Sequence, residues 1–148
     1  MLNKLKIAKL IKSLAIMAVV AVIAFEAPFA HRDYIRGIAE DNSVKIIGTN
    51  GSGTGFHVRT KSGSVYILTN RHVCEMEGPL KVQKYGSLVT VERKIIKKYE
   101  KHDLCVIEAL PGVSGIKVGG KVENGEHVYT LGHPRGDALN VAEGEKFD

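Results

Sequence analysis

From Ser43 onward the sequence is a succession of short apolar or alternating runs, set apart by turn residues. Strand-like runs stand at SVKIIG (43–48), GTGFHVR (53–59), SVYILTN (64–70), LKVQ (80–83), LVTVERKII (88–96) and LCVIEAL (104–110). TKSG at 60–63 and KYG at 84–86 supply hairpin turns, with glycine available for a positive φ. VTVERKII alternates at period two, as a half-buried strand does. Six such runs between residues 43 and 110 predict an all-β fold, a small antiparallel barrel or sandwich. No helix is expected after Ala30, apart from a turn around Arg71 to Glu75. Sixteen glycines against four prolines agree with many tight turns, and a 44% hydrophobic fraction excludes a disordered chain.

Beyond Leu110 the texture loosens. PGVSGIKVGGKVENGE, residues 111–126, reads as a connection between two barrels. HVYTLG (127–132) and ALNVAEG (138–144) are two further strand-like runs. Two strands close no barrel, and a lone hairpin leaves an edge unpaired. Residues 127–148 therefore read as the start of a truncated second barrel, and the chain as a fragment.

The first thirty residues differ in kind. Lys4, Lys6, Lys9 and Lys12 precede SLAIMAVVAVIAF, an uncharged apolar run from Ser13 to Phe25. A basic start followed by a short apolar core is the pattern of a signal peptide or an N-terminal membrane anchor. Small residues follow in EAPFA, but Pro28 spoils a clean A-x-A cleavage site, so both outcomes stay open. Residues 31–42 read as a polar connector. The expected location is an exported one, periplasmic or extracellular, or the membrane surface by way of the N-terminal segment. This segment also accounts for most of the formal charge of +5, since residues 1–30 carry +3 of it. With little excess charge elsewhere, nucleic acid is not an expected partner. The basic stretch RKIIKKYEKH (93–102) flanks a strand and a turn and reads as a solvated face.

Export bears on the cysteines. Cys74 and Cys105 are candidates for a disulfide, although sequence spacing says nothing about their separation. A rival exists in His72, Cys74, His102 and Cys105, two imidazoles and two thiolates, the ligand types of a structural zinc site. Their spacings are tighter and less regular than those of zinc motifs, so no metal and no cofactor is expected.

Two stretches carry chemistry, ILTNRHVCEM (67–76) and KHDLCVIEAL (101–110). A serine hydroxyl becomes a useful nucleophile when a histidine accepts its proton. A carboxylate must then hold the histidine's tautomer and stabilise the imidazolium. His72 follows one apolar strand and Asp103 opens another, so both stand where the chain leaves or enters a core. The remaining histidines read differently: His57 and His102 as surface residues, His127 and His133 as part of the second barrel's hairpin and its turn.

GSGTGF (51–56), ILTNRHV (67–73), DLCVI (103–107) and LGHPRG (131–136), in that order and spacing, resemble the chymotrypsin-like serine proteases, most closely the bacterial Deg/Htr-type branch. The resemblance covers roughly Ser43 to Gly144. It implies a trypsin-type six-stranded barrel and an endopeptidase acting on protein or peptide substrates, with His72 as general base and Asp103 as its orienting partner. The family's nucleophile sits in a Gly-x-Ser-Gly context that none of the seven serines here occupies after Asp103. Ser52, in NGSG, precedes the histidine and reads as a turn residue. The chain as written is therefore expected to be inactive alone. Two other classes are compatible with the sequence, a non-catalytic pseudoprotease or binding module, and the zinc-stabilised β-domain. Neither cleavage specificity nor oligomeric state is set by the sequence.

Overall fold

The computed structural model describes residues 31–133 and 138–146, with Val141 described by its backbone only. The segment of residues 1–30, and residues 134–136 of the LGHPRG stretch, lie outside the described residues. Among the described residues no helix is long and apolar enough to cross a membrane. The chain divides after Arg36 into two units, and the site lies in the second, which begins at Gly37.

Residues 31–42 are helical (α1), where the sequence predicted a connector without helix. The polar residues that suggested a loop include Asp33, Glu40 and Asp41 beside Tyr34, Ile35 and Ile38, and Ala39 and Asn42 are buried. Polar residues on one face of a short helix give the segment the composition of a loop.

The strands follow as β1 (Ser43–Ile47), β2 (Ser52–Arg59), β3 (Val65–Thr69), β4 (Lys81–Lys84), β5 (Thr90–Glu92), β6 (Ile95–Tyr99), β7 (Leu104–Glu108), β8 (Ile116–Lys117), β9 (His127–Gly132) and β10 (Asn140–Glu145). A one-turn helix α2 (Arg71–Cys74) lies between β3 and β4, and a 3₁₀ turn (Glu100–His102) precedes β7. The main sheet runs in the order β5-β4-β1-β2-β3-β7-β6, with neighbours antiparallel along this path. The short β8 adds to β2 in parallel.

The predicted single strand over 88–96 is two strands, β5 and β6, at opposite ends of this sheet. Arg93 and Lys94 make the passage between them. The Arg93 N–H donates to the Leu80 carbonyl (3.1 Å), and the Lys94 carbonyl accepts from the Glu108 N–H (3.0 Å). The two ends of the sheet are thus joined by two residues of chain, which requires the sheet to curl. Alternation alone could not reveal this, because a bend that keeps the period leaves the pattern intact.

The concave face holds the core. Val44, Ile46, Ile67, Val82 and Ile107 are fully buried, with Cys74, Val73, Leu80 and Cys105 packed among them. Register explains the clustering: Ile46 lies opposite Val82, and Ile67 opposite Ile107. His57 lies opposite Ile67 and so faces the same way. It is 0% exposed while Phe56 is 42% exposed. The alternation expected in this strand is present with its faces exchanged, which corrects the reading of His57 as a surface residue. The inward position is tolerable because the imidazole is satisfied at both nitrogens: Nδ1 donates to the Asn42 carbonyl (3.0 Å) and Nε2 accepts the Leu110 N–H (3.2 Å). Burial lowers its pKa, so this ring is neutral.

β9 and β10 form a separate two-stranded sheet, paired from His127↔Glu145 to Gly132↔Asn140. It meets the main sheet through Thr54, whose hydroxyl oxygen accepts the His133 N–H at 2.7 Å and lies 3.1 Å from His133 Nδ1. His127 pairs with Glu143 across the hairpin, Nδ1 to Oε1 3.1 Å. The connection at 111–126 is more than a linker, since it contains β8.

Candidate active site

The site is built at the exit of β3 and the entry to β7, which are adjacent strands with Thr69 opposite Cys105. Four residues are too few to sustain a helix by their own hydrogen bonds. Asn70 precedes α2 without capping it through its side chain. What organises the turn is Asp103.

Asp103 adopts a left-handed conformation (φ 46°, ψ 45°), alone among the described non-glycine residues in having positive φ. That conformation costs about 1 kcal/mol or more and persists where surrounding bonds hold it. Here its carbonyl accepts from the Arg71 N–H (3.0 Å) and the Asn70 Nδ2 (3.3 Å). Its carboxylate accepts from the Asn70 Nδ2 at Oδ2 (3.3 Å), from the His72 N–H at Oδ1 (3.1 Å) and from His72 Nδ1 at Oδ2 (2.9 Å). The His72 backbone N–H is the main cause of a carboxyl pKa below its ordinary value, with the imidazole's hydrogen bond and charge adding to it. Asp103 is therefore an anion at neutral pH and fixes the proton of a neutral His72 on Nδ1. Nε2 is left with its lone pair. This is the arrangement by which an imidazole takes a proton from a hydroxyl. Both side chains are open to solvent, at 69% and 49% exposure.

Beneath this polar face lies a buried one. Val73 and Cys74 point into the core, and Cys74 is joined to Cys105 of β7 with their Cα atoms 6.5 Å apart. Val73 rests on Gly53 of β2, where an added Cβ would lie 2.6 and 2.8 Å from the two valine methyls. Two positioning residues were thus missed in sequence. Gly53 was visible only as part of GSGTGF, yet glycine inside a strand is itself a sign of close approach. Asn70 was visible only as part of ILTN, and nothing local marks it as a ligand of a carboxylate 33 residues away.

His72, Asp103, Cys74 and Cys105 are brought together; the other candidates are not. His102 lies exposed on the 3₁₀ turn and His57 in the core. With the two sulfurs bonded to each other, neither cysteine is a thiolate, so the rival zinc set is not assembled. Among the described residues no group of three or more His, Cys, Asp or Glu is placed to hold a metal ion. Next to the pair lies a cleft of about 210 Å³, lined by Asn70, Thr69, Leu68, Leu104, Thr54, Phe56 and Leu131. It offers an apolar wall beside the polar dyad.

Residues 53–146 match the trypsin-like peptidase domain family. A Do-like serine protease HtrA of Bacillus subtilis is 32% identical over 96 residues, covering 62% of this chain and 21% of that protein. A mitochondrial Do-like protease 3 of Arabidopsis thaliana is 29% identical over 99 residues, covering 63% of this chain and 17% of that protein. The chain thus spans about a fifth of the length of the curated relatives it matches. The solved structure of a serine endoprotease from Yersinia pestis shares the fold, with a TM-score of 0.63, 21% identity, and coverage of 73% of this chain and 41% of that one. The curled antiparallel sheet is the framework this kinship predicts, and with a family match over more than half its length the chain belongs to the trypsin-like peptidase domain family, on its Do-like, Deg/Htr-type side.

Proposed function

We propose that this chain supplies the general base and its orienting carboxylate to a serine-type endopeptidase acting on protein or peptide substrates in an exported compartment. The hydrogen bond from His72 Nδ1 to Asp103 Oδ2, 2.9 Å, carries the reading. Asp103 holds the tautomer whose Nε2 accepts the hydroxyl proton, and its charge steadies the imidazolium that results. The cleft beside Asn70 and Leu104 is where a substrate chain would lie. The bridged cysteines agree with an oxidising location, as does the basic and apolar segment of residues 1–30, whether signal or anchor.

None of the seven serines stands in a Gly-x-Ser-Gly context after Asp103, and Ser13 lies outside the described residues. Ser43 is buried in β1, Ser52 opens β2, and Ser62, held by Thr60, and Ser64 belong to the β2–β3 turn. Ser87 follows β4 and Ser114 precedes β8. Residues 1–148 by themselves are therefore expected to take no label from a serine-directed fluorophosphonate and to release no peptide from casein. A longer form of this protein that carries a Gly-x-Ser-Gly segment is expected to label. His72→Ala should then lower its acylation rate by roughly 10⁴-fold or more. Labelling that survives His72→Ala would remove His72 from the mechanism. Labelling of residues 1–148 alone would place a nucleophile among the serines named above.

A further inference from the structure

We propose that the Cys74–Cys105 bridge is the positioning element of the His72–Asp103 pair, so that the geometry of base and orienter depends on the oxidation state of two core cysteines. The inference rests on the site reading given above and adds a means of control to it.

Each cysteine stands two residues after one member of the pair: His72-Val73-Cys74 and Asp103-Leu104-Cys105. The hydrogen bond between imidazole and carboxylate closes one side of a small ring, and the bridge closes the other. These two closures differ in strength. The polar one is exposed, so water competes for each of its hydrogen bonds and their net worth is small. The covalent one is buried, with Cys74 4% and Cys105 0% exposed. Helix α2, a single turn without a side-chain cap, has little cohesion of its own. Between the cysteines the chain makes an excursion through β4, β5 and β6, and every residue of β5 and β6 is exposed. Without the bridge, α2 would be held at the entry to β7 by the exposed hydrogen bonds to Asp103, and to β2 by Val73 on Gly53. Thiol–disulfide exchange with a dithiol would release it. The dithiol gives up two electrons and two protons and becomes a disulfide, and the Cys74–Cys105 bond becomes two thiols.

The bridge as positioning element is separable from the bridge as mere staple by following Asp103 itself. In the full chain, the ¹³C carboxyl signal of Asp103 is titrated for the oxidised protein and for Cys74→Ala/Cys105→Ala. The His57 ring signals report on the core. The expected result is an Asp103 midpoint that rises toward the ordinary carboxylate value in the double variant while His57 is unchanged. An identical Asp103 midpoint in both proteins would overturn the proposal. If the double variant does not fold, the reciprocal measurement decides. The wild-type and Asp103→Asn chains are equilibrated with a dithiol redox buffer, because a coupling between two sites acts equally in both directions. Removing the carboxylate should make the bridge about fivefold or more easier to reduce. Equal reduction equilibria would overturn the proposal. Neither measurement uses catalysis, so the outcome stands apart from that of the labelling experiment.

Discussion

His57 and His72 sit on neighbouring strands of one sheet, or just beyond, and have opposite surroundings. His57 is sealed in the core between two backbone groups, an acceptor at Asn42 and a donor at Leu110. His72 is exposed and faces a carboxylate. The backbone pair fixes His57 in one neutral tautomer, and burial makes its protonation unfavourable although the Asn42 carbonyl pulls the other way. The carboxylate fixes the tautomer of His72 too, but it also accommodates a positive ring. A histidine that can gain and lose a proton needs a partner that tolerates both forms. Only His72 has one.

On the proposed function, this contrast makes His57 a matter of stability and His72 a matter of chemistry, and substitutions can break that division. The largest expected effect is that of His57→Ala, which leaves two buried backbone groups without partners and opens a cavity; a loss of about 3 kcal/mol or more is expected in urea unfolding. His57→Gln, which can reach one of the two partners, should lose less. Gly53→Ala comes next. The new methyl must displace Val73, costing about 1–3 kcal/mol, and amide exchange should show the loss concentrated in α2.

The pH dependence of stability should show two separate windows. His57 has a folded pKa below its ordinary 6.5, so the unfolded chain binds the proton first. Its contribution is complete above about pH 6.5 and is lost as pH falls from there toward the depressed folded value. Asp103 has a folded pKa below 3.8, so its contribution is present above about pH 3.8 and is lost as pH falls through the folded value. His57→Gln should erase the upper window and Asp103→Asn the lower one, as read from unfolding midpoints across pH. The smallest effect is that of His72→Ala, expected to change stability by no more than about 0.5 kcal/mol, since an exposed pair contributes little. A loss of several kcal/mol there would show that the dyad is structural and erase the contrast with His57.

Much of the fold was legible. The runs at 43–48, 53–59, 64–70, 80–83 and 104–110 correspond to β1, β2, β3, β4 and β7, because alternating or apolar residues between turn residues leave few other ways to bury a face. Two failures are instructive. The run at 88–96 hid a change of sheet end, which is a matter of curvature and not of period. Residues 31–42 hid a helix, because Ala39 and Asn42 are buried by neighbours that no local window contains. In the candidate site, motif pointed to His72 and Asp103, which pair in the structure, but not to Gly53 and Asn70, whose partners lie 20 and 33 positions away.

By itself, the order of residues determined the alternation, the turns and the placing of an imidazole and a carboxylate at two strand ends. These are local properties, set by side-chain type and by the period of an extended chain. Only the tertiary structure decided which face of β2 turns inward, that β5 and β6 take opposite ends of one sheet, and that Cys74 and Cys105 meet beneath His72 and Asp103. Each depends on how far the sheet curls and on the register of β3 with β7, and register is fixed by the sum of contacts across strands, which no single segment encodes.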